Sequence, residues 1–264
     1  MGRFRRKFYG SSGGGGGGGG VGLDPLDASL ASKLLGYWKA EDLDATYAEA
    51  AGITGNWADA SGHGKVMIPR PSSGHYPLMR KNKWGTFSAI SILDDGNFVN
   101  RFDSGTATLD PAGAALDALV LTIPRHTDLR IVFEADTGAS PTRYWTLQSN
   151  GGGCQGICNT GAGDTSKATT RTTAPSPKPL LLRGTYDPSL GAGEVKVQAD
   201  RFPEEASASG ANTNAMPARI ASLGGRITTG GEYYGYIFCA LLAAGLTDSE
   251  RAGIVAFLLD KYKI

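Results

Sequence analysis

The 264-residue chain has few of the residues from which metal sites and disulfide frameworks are built. It contains three cysteines, an odd number that excludes a complete set of disulfides, and three histidines that are far apart in the sequence. Cys154 and Cys158 have C-x3-C spacing but lack the second pair of ligands that a structural zinc site needs. We therefore predict no cofactor. The sequence leaves open whether these two cysteines form a local disulfide or remain free thiols.

Long hydrophobic runs and an excess of charge of one sign are also missing. No stretch approaches the roughly 18 apolar residues of a membrane-spanning helix. The basic start of the chain is followed by glycines rather than by the apolar segment of a secretory signal. The formal net charge is +1, so no overall field would attract nucleic acid. We expect a protein made in the cytoplasm that neither binds nucleic acid nor inserts into a membrane.

Glycine, in contrast, is abundant, with 39 residues in the chain. Eight of them form the run 13–20, and many others lie between short apolar runs, where turns would separate strands. This arrangement favours an all-β protein over a helical one. The chain length fits one large β-sandwich, which we place at residues 23–264.

Residues 1–22 are predicted to form a flexible arm, because a glycine linker joins the first ten residues to the body and behaves as a coil. The arm is either a disordered tail or a peptide that docks on a partner. Its aromatic residues favour docking, since solvated tails contain few aromatics. The candidate docking residues are Arg3, Phe4, Arg5, Arg6, Phe8 and Tyr9.

A helix is predicted near each end of the body. Asp24-Pro25 is typical of a helix start, and Leu26, Leu30 and Leu34 would give it one apolar stripe. The T-x-x-E capping box that begins at Thr247 predicts a C-terminal helix whose apolar face packs on the sandwich.

Most of the chain between these helices is predicted as strands, separated by one long loop. The segment from residue 150 to 179 is rich in Gly, Thr, Ser and Pro, and we predict an exposed loop there. Strands are predicted from alternating, β-branched or aromatic runs at 129–134, 144–147, 180–186, 194–198, 220–223 and 233–242.

Two segments carry a resemblance to a known family. Residues 36–67 contain a Trp strand, an acidic turn and a W-x-D-x-S-G-x-G turn that includes Trp57 and Asp59. Residues 223–264 contain a Gly-Gly turn, a long strand and an LTDSER helix start. These resemble the opening and the ending of concanavalin A-like (laminin-G type) lectin domains, common in phage and bacterial surface proteins. The resemblance implies a concanavalin A-like jelly-roll β-sandwich, and in some relatives calcium, for which Asp59 is a weak candidate here.

The resemblance further implies a surface protein of a tailed-phage virion, such as a head decoration or tail-fibre protein. Its partners would be capsid or tail proteins, held through the N-terminal arm, and host-surface polysaccharide, contacted by the lectin-like domain during host attachment. An oligomer would suit this role. A purely structural decoration protein that binds no sugar is the alternative, and a polysaccharide-degrading enzyme is a third.

Glycan binding would need aromatic rings that stack on sugars, together with polar side chains nearby. Arg143, Tyr144 and Trp145 precede the predicted loop, and Trp145 would be a sugar platform if it points outward and a core residue if it points inward. The full candidate set is Arg143, Tyr144, Trp145, Asn150, Gln155 and Asn159.

An enzymatic role is disfavoured by the acids that the chain contains. A retaining glycosidase needs two carboxyl groups about 5–5.5 Å apart across the scissile bond. The nearest match to the E-x-D-x-E pattern of related glucanases is Glu134-Ala135-Asp136, and position 138 is a glycine instead of the second glutamate. The sequence has neither a G-x-S-x-G motif nor a P-loop. We predict that the protein is not an enzyme and has no catalytic residues.

Overall fold

The computed structural model describes residues 22–71, 75–92, 100–136, 144–150, 153–159, 165–170, 177–190, 194–199, 203–207, 218–225 and 233–264. The predicted docking residues of the arm and the candidate Arg143 lie outside these ranges. The strands of the described residues are, in chain order, β1 (Leu34–Lys39), β2 (Trp57–Ala58), β3 (Val66–Arg70), β4 (Leu78–Trp84), β5 (Phe87–Ile92), β6 (Arg101–Asp103), β7 (Leu116–Pro124), β8 (Leu129–Asp136), β9 (Tyr144–Asn150), β10 (Gly153–Asn159), β11 (Thr165–Thr169), β12 (Leu180–Tyr186), β13 (Val195–Ala199), β14 (Glu205–Ala206), β15 (Ile220–Leu223) and β16 (Gly235–Ala244). The helices are two 3₁₀ turns (Ala28–Leu30 and Ala40–Leu43) and α1 (Asp248–Tyr262).

These strands form two antiparallel sheets of eight strands each, packed face to face. Sheet A has the order β14-β13-β12-β7-β16-β5-β4, with β1 also paired to β16. Sheet B has the order β11-β10-β9-β8-β15-β6-β3-β2. The main core lies between the sheets and includes the fully buried Trp38, Trp57 and Trp145. The predicted all-β sandwich with a C-terminal helix is therefore confirmed.

The central strand of sheet A, β7, is buried on both of its faces, and its sequence is apolar almost throughout. Ala118 and Val120 point into the core between the sheets. Leu119 and Leu121, which alternate with them, point to a second apolar cluster on the outer face. A strand buried on both faces has a continuous hydrophobic run instead of an alternating one.

Helix α1 covers part of that outer face. The predicted capping box is present: Thr247 Oγ1 accepts a hydrogen bond from Glu250 N at 3.2 Å, and Glu250 Oε2 accepts one from Thr247 N at 2.7 Å. Ile254 and Leu258 are buried against sheet A. The start of the described chain packs on the same helix, where Leu23 N donates to the Gly253 carbonyl at 3.0 Å.

The predicted N-terminal helix is much shorter than the leucine stripe indicates. Asp24 caps a turn through a 2.9 Å hydrogen bond from Leu26 N, and the 3₁₀ helix that follows covers only Ala28–Leu30. Leu34 pairs with Ala243 at the start of β1. Long-range pairing with β16 therefore overrides the local helical pattern, and Leu26 remains exposed.

The prediction of a long exposed loop from residue 150 to 179 is wrong, because β10 and β11 lie within it. The inward residues of β10 are Cys154, Gly156 and Cys158, which are too small to give the usual apolar alternation. A Cβ at Gly156 would lie 2.7 Å from Cγ1 of Val197 in the opposite sheet. Glycine is therefore required there by the close approach of the two sheets.

The two neighbouring thiols of β10 are free and buried, so the disulfide alternative is excluded. Residues four apart in a strand are separated by about 13 Å, well beyond the reach of a disulfide. Burial raises the pKa of Cys154 and that of Cys158 to about 12, so both stay protonated core residues at neutral pH.

Candidate functional site

The two outer faces of the sandwich differ in chemistry. The outer face of sheet A carries an apolar cluster under α1, whereas that of sheet B carries hydrogen-bonding side chains across four adjacent strands. In β8 and β9 the residues Phe133, Ala135, Trp145 and Leu147 belong to the core, so the residues that alternate with them point outward. We call the outward set the polar face; it consists of Glu134, Asp136, Thr146, Gln148, Gln155 and Ser222.

The strand register brings these side chains into rows. Thr146, Glu134 and Ser222 are direct cross-strand partners on β9, β8 and β15. Gln148 and Gln155 form the next row on β9 and β10. Neighbouring strands are about 4.8 Å apart, and alternate residues along a strand about 6.7 Å. The polar face is therefore a grid of hydrogen-bonding side chains that repeats with the spacing of the strands.

The side chains of the polar face have little exposure to solvent. Thr146 and Ser222 are 0% exposed, and Gln148 and Asp136 are 8% exposed, whereas Thr169 at the β11 border is exposed. Gln155 Nε2 donates to Thr169 Oγ1 at 2.8 Å, and Ser222 Oγ donates to the Gly225 carbonyl at 2.7 Å. These contacts hold the side chains in defined orientations.

The neighbouring strands β6 and β3 place an ion pair beside the polar face. Asp103 is the cross-strand partner of Ser222, and Arg70 Nε donates to both of its carboxylate oxygens, at 3.0 and 2.9 Å. Arg101 Nε lies 3.8 Å from the same carboxylate. Since the charge of Asp103 is compensated, this border contributes polar contacts rather than a strong field.

Most of the residues that the sequence predicts to bind glycan lie in one pair of strands, β9 and β10. Tyr144 pairs with Asn159, and Gln155 pairs with Gln148, in the β9–β10 ladder. Gln155 is part of the polar face, and Asn150 lies half-buried at the end of β9.

Trp145, the proposed platform of that set, points inward. It is fully buried between the sheets, with its ring centroid 5.3 Å from that of Phe133. The alternation of β9 settles this orientation, because Trp145 pairs with Cys158 and Ala135, both core residues. Trp145 is therefore a core residue and does not offer a surface on which a sugar could stack.

Sequence reasoning missed Thr146, Gln148 and Ser222. Thr146 and Gln148 alternate with Trp145, Leu147 and Ser149, and this alternation indicates that the two polar residues share one face of the strand. Their assembly with Ser222 depends on the pairing of β8 with β15, in which Glu134 and Ser222 are 88 positions apart in sequence. No local pattern contains that information.

The acids considered for glycosidase chemistry, Glu134 and Asp136, lie on the polar face. They alternate on β8 and therefore share one side of the strand. The strand ends at Asp136, and position 138 carries a glycine, so no third acid follows on β8. Both carboxyl groups thus project from a single strand.

Asp59, the weak calcium candidate, is used by the turn that contains it. Its Oδ1 accepts from Tyr37 N and Ser61 N, each at 2.8 Å, and its Oδ2 accepts from Ser61 Oγ at 2.6 Å. Within the described residues no group of three metal-ligating side chains occurs. In the described part of the chain no helix has the length and apolar character needed to cross a membrane.

No model of a known protein family matches the chain, and no curated protein sequence matches it. Solved structures are similar in fold. Domain 4 of AbnA, an extracellular arabinanase from Geobacillus stearothermophilus, in complex with arabinotriose, superimposes with a TM-score of 0.53 at 18% identity, over 84% of this chain and 98% of that domain. The ligand-binding domain of botulinum neurotoxin serotype D, in complex with N-acetylneuraminic acid, gives 0.54 at 11% identity, over 87% of this chain and 52% of that one. This chain thus spans about half of the toxin domain. At these identities the likeness establishes a shared β-sandwich fold.

Proposed function

We propose that this protein is a carbohydrate-binding module that holds a neutral polysaccharide on the polar face without cleaving it. The observation that carries the proposal is the set of outward hydrogen-bonding side chains on sheet B, each of which is 8% exposed or less. Amide and hydroxyl groups can bond directly to sugar hydroxyls, and a few fixed polar groups are typical of ligand recognition. Two proteins of similar fold support a saccharide as the ligand, since the arabinanase domain was solved with arabinotriose and the toxin domain with N-acetylneuraminic acid.

The placement of the acids supports binding without cleavage. Retaining and inverting glycosidases both need two carboxyl groups that flank the scissile bond from its two sides. Glu134 and Asp136 emerge from one strand about 6.7 Å apart and would lie along a bound chain instead of on its two sides. Their role in this proposal is to accept hydrogen bonds from sugar hydroxyls.

We expect the double variant Gln148→Met/Gln155→Met to weaken polysaccharide binding by roughly 5- to 150-fold, because each lost hydrogen bond contributes about 0.5–1.5 kcal/mol. The measurement is affinity electrophoresis and calorimetry with a panel of neutral polysaccharides that includes arabinan, galactan, xylan and β-glucan. Methionine preserves the length of glutamine and removes its hydrogen bonds.

Gln198→Met provides the matched control, since Gln198 lies on β13 of the opposite sheet. It should bind the polysaccharide like the original protein. The proposal is overturned if no member of the panel binds, or if the double variant binds as tightly as the control. Release of reducing sugar ends from a bound polysaccharide would instead favour the hydrolytic alternative.

The finer role within this proposal is that of a virion surface protein whose residues 1–22 attach it to a capsid or tail. The basic and aromatic composition of the arm supports docking on a protein partner. Deletion of residues 2–20 should lower incorporation into particles at least tenfold, measured by immunoblot of purified particles, while the truncated protein keeps its polysaccharide binding. Unchanged incorporation would leave the arm without a docking role, and loss of both properties would indicate misfolding.

A further inference from the structure

A cleft opens on the outer face of sheet A, on the side of the sandwich away from the polar face. Its volume is about 790 Å³, and it is shallow and widely open to solvent. Helix α1 leaves this end of the sheet uncovered, and Trp84 at the border of the cleft donates from Nε1 to the Tyr262 carbonyl at 2.9 Å. The described residues that line the cleft are Lys83, Trp84, Ile123, Pro124, Arg125, Pro177 and Tyr236.

Two cations converge on one phenol in this cleft. Lys83 Nζ lies 4.1 Å from the centroid of the Tyr236 ring, and Arg125 Nη1 donates to the Tyr236 hydroxyl at 3.0 Å. Arg125 also stacks 5.2 Å from the ring centroid of Tyr234. Cation–π contacts of this kind fix the two side chains in place before any ligand arrives.

The positive charge of the cleft is not balanced by its own walls. None of the described lining residues is acidic. Glu49, whose charge interacts with that of Lys83, hydrogen-bonds to Arg80 and to the Lys81 backbone. Burial alone would raise the pKa of Tyr236, yet this pKa lies below its ordinary value, because Lys83 hydrogen-bonds the phenol and both cations favour the phenolate. The electrostatic environment therefore favours a negative group.

The remaining walls fit a sugar ring. Trp84 and Tyr236 are aromatic, and Pro124 and Pro177 are apolar, which is the kind of surface against which the apolar face of a pyranose packs. We propose that this cleft is a second site, which binds an acidic saccharide by holding its carboxylate between Lys83 and Arg125. The site is independent of the polar face, so either proposal can fail without the other.

The test is calorimetric titration of the full chain with trigalacturonic acid and with its methyl ester, which has the same shape and no charge. The acid should bind at least about tenfold more tightly than the ester, the order expected for one charge-assisted hydrogen bond. Arg125→Met and Lys83→Met should each remove this preference. Lys167→Met, which replaces an exposed lysine of sheet B, should leave it unchanged.

The polar-face variant Gln148→Met/Gln155→Met should bind trigalacturonic acid like the original chain, which separates the two sites. Equal affinity for the acid and the ester would overturn the proposal, as would unchanged binding by Arg125→Met. Inorganic phosphate and sulfate are titrated in parallel, and binding of either without binding of trigalacturonic acid would also overturn the saccharide assignment.

Discussion

Replacing Trp145 by alanine is expected to lower the free energy of unfolding by about 3–5 kcal/mol, the range for removal of a large aromatic side chain from a core. The indole is 0% exposed and packs against Phe133. It also fills the space left by a glycine: a Cβ at Gly184 would lie 2.8 Å from Trp145 Cζ2. Because Gly184 has no side chain, it cannot help to fill the cavity that the substitution leaves.

Urea denaturation followed by far-UV circular dichroism measures this loss. Trp145→Phe is the control, because it keeps most of the apolar volume and should be clearly less destabilising. The indole Nε1–H has no hydrogen-bond partner among the described residues, so phenylalanine removes no such bond. A loss below about 1 kcal/mol for the alanine variant would mean that the side chain is not the core element described above.

The second large effect is expected at Asp117, which joins sheet A to α1. Its side chain is fully buried, and Arg251 donates to it from Nε at 2.7 Å and from Nη2 at 3.1 Å. Thr185 Oγ1 donates to the same carboxylate at 2.6 Å. Asp117→Ala would leave the Arg251 charge with only the exposed Asp248 as an ionic partner among the described residues, at 2.6 Å.

We expect Asp117→Ala to cost about 3–5 kcal/mol, because removing one member of a buried pair leaves an uncompensated charge. Arg251→Met in the same chain should restore part of this loss by removing the orphaned charge. A double-mutant cycle by urea denaturation measures the coupling. Additive losses for the two single substitutions would show that the pair does not act as a unit.

The sequence predicts the aliphatic strands and the C-terminal helix closely, because the residues that indicate these elements lie within the elements themselves. Strands β12 and β15 occupy the predicted ranges 180–186 and 220–223, because each contains aliphatic residues that indicate a buried strand. Strands β10 and β11 were missed because β10 uses cysteine and glycine on its inward side, where the opposite sheet approaches closely.

The candidate sites depend on contacts that no local pattern contains. The polar face needs β15 beside β8, and the cleft unites Lys83, Arg125 and Tyr236, which are more than 40 positions apart in sequence. The sequence does not determine whether Trp145 points inward or outward, for a related reason. The sequence around it allows either face, and the sheet register chooses one.

The hydrogen bond between Leu23 N and the Gly253 carbonyl places the start of the described chain beside α1. It fixes the exit of the N-terminal segment at α1, and so on the back of the sandwich with respect to the polar face. If a partner holds the segment before Gly22, as proposed above, that partner would meet the body on the side of α1, and sheet B would face away from it. Under the two roles proposed above, attachment and saccharide binding would use opposite sides of the sandwich, and a bound partner would not obstruct the polar face.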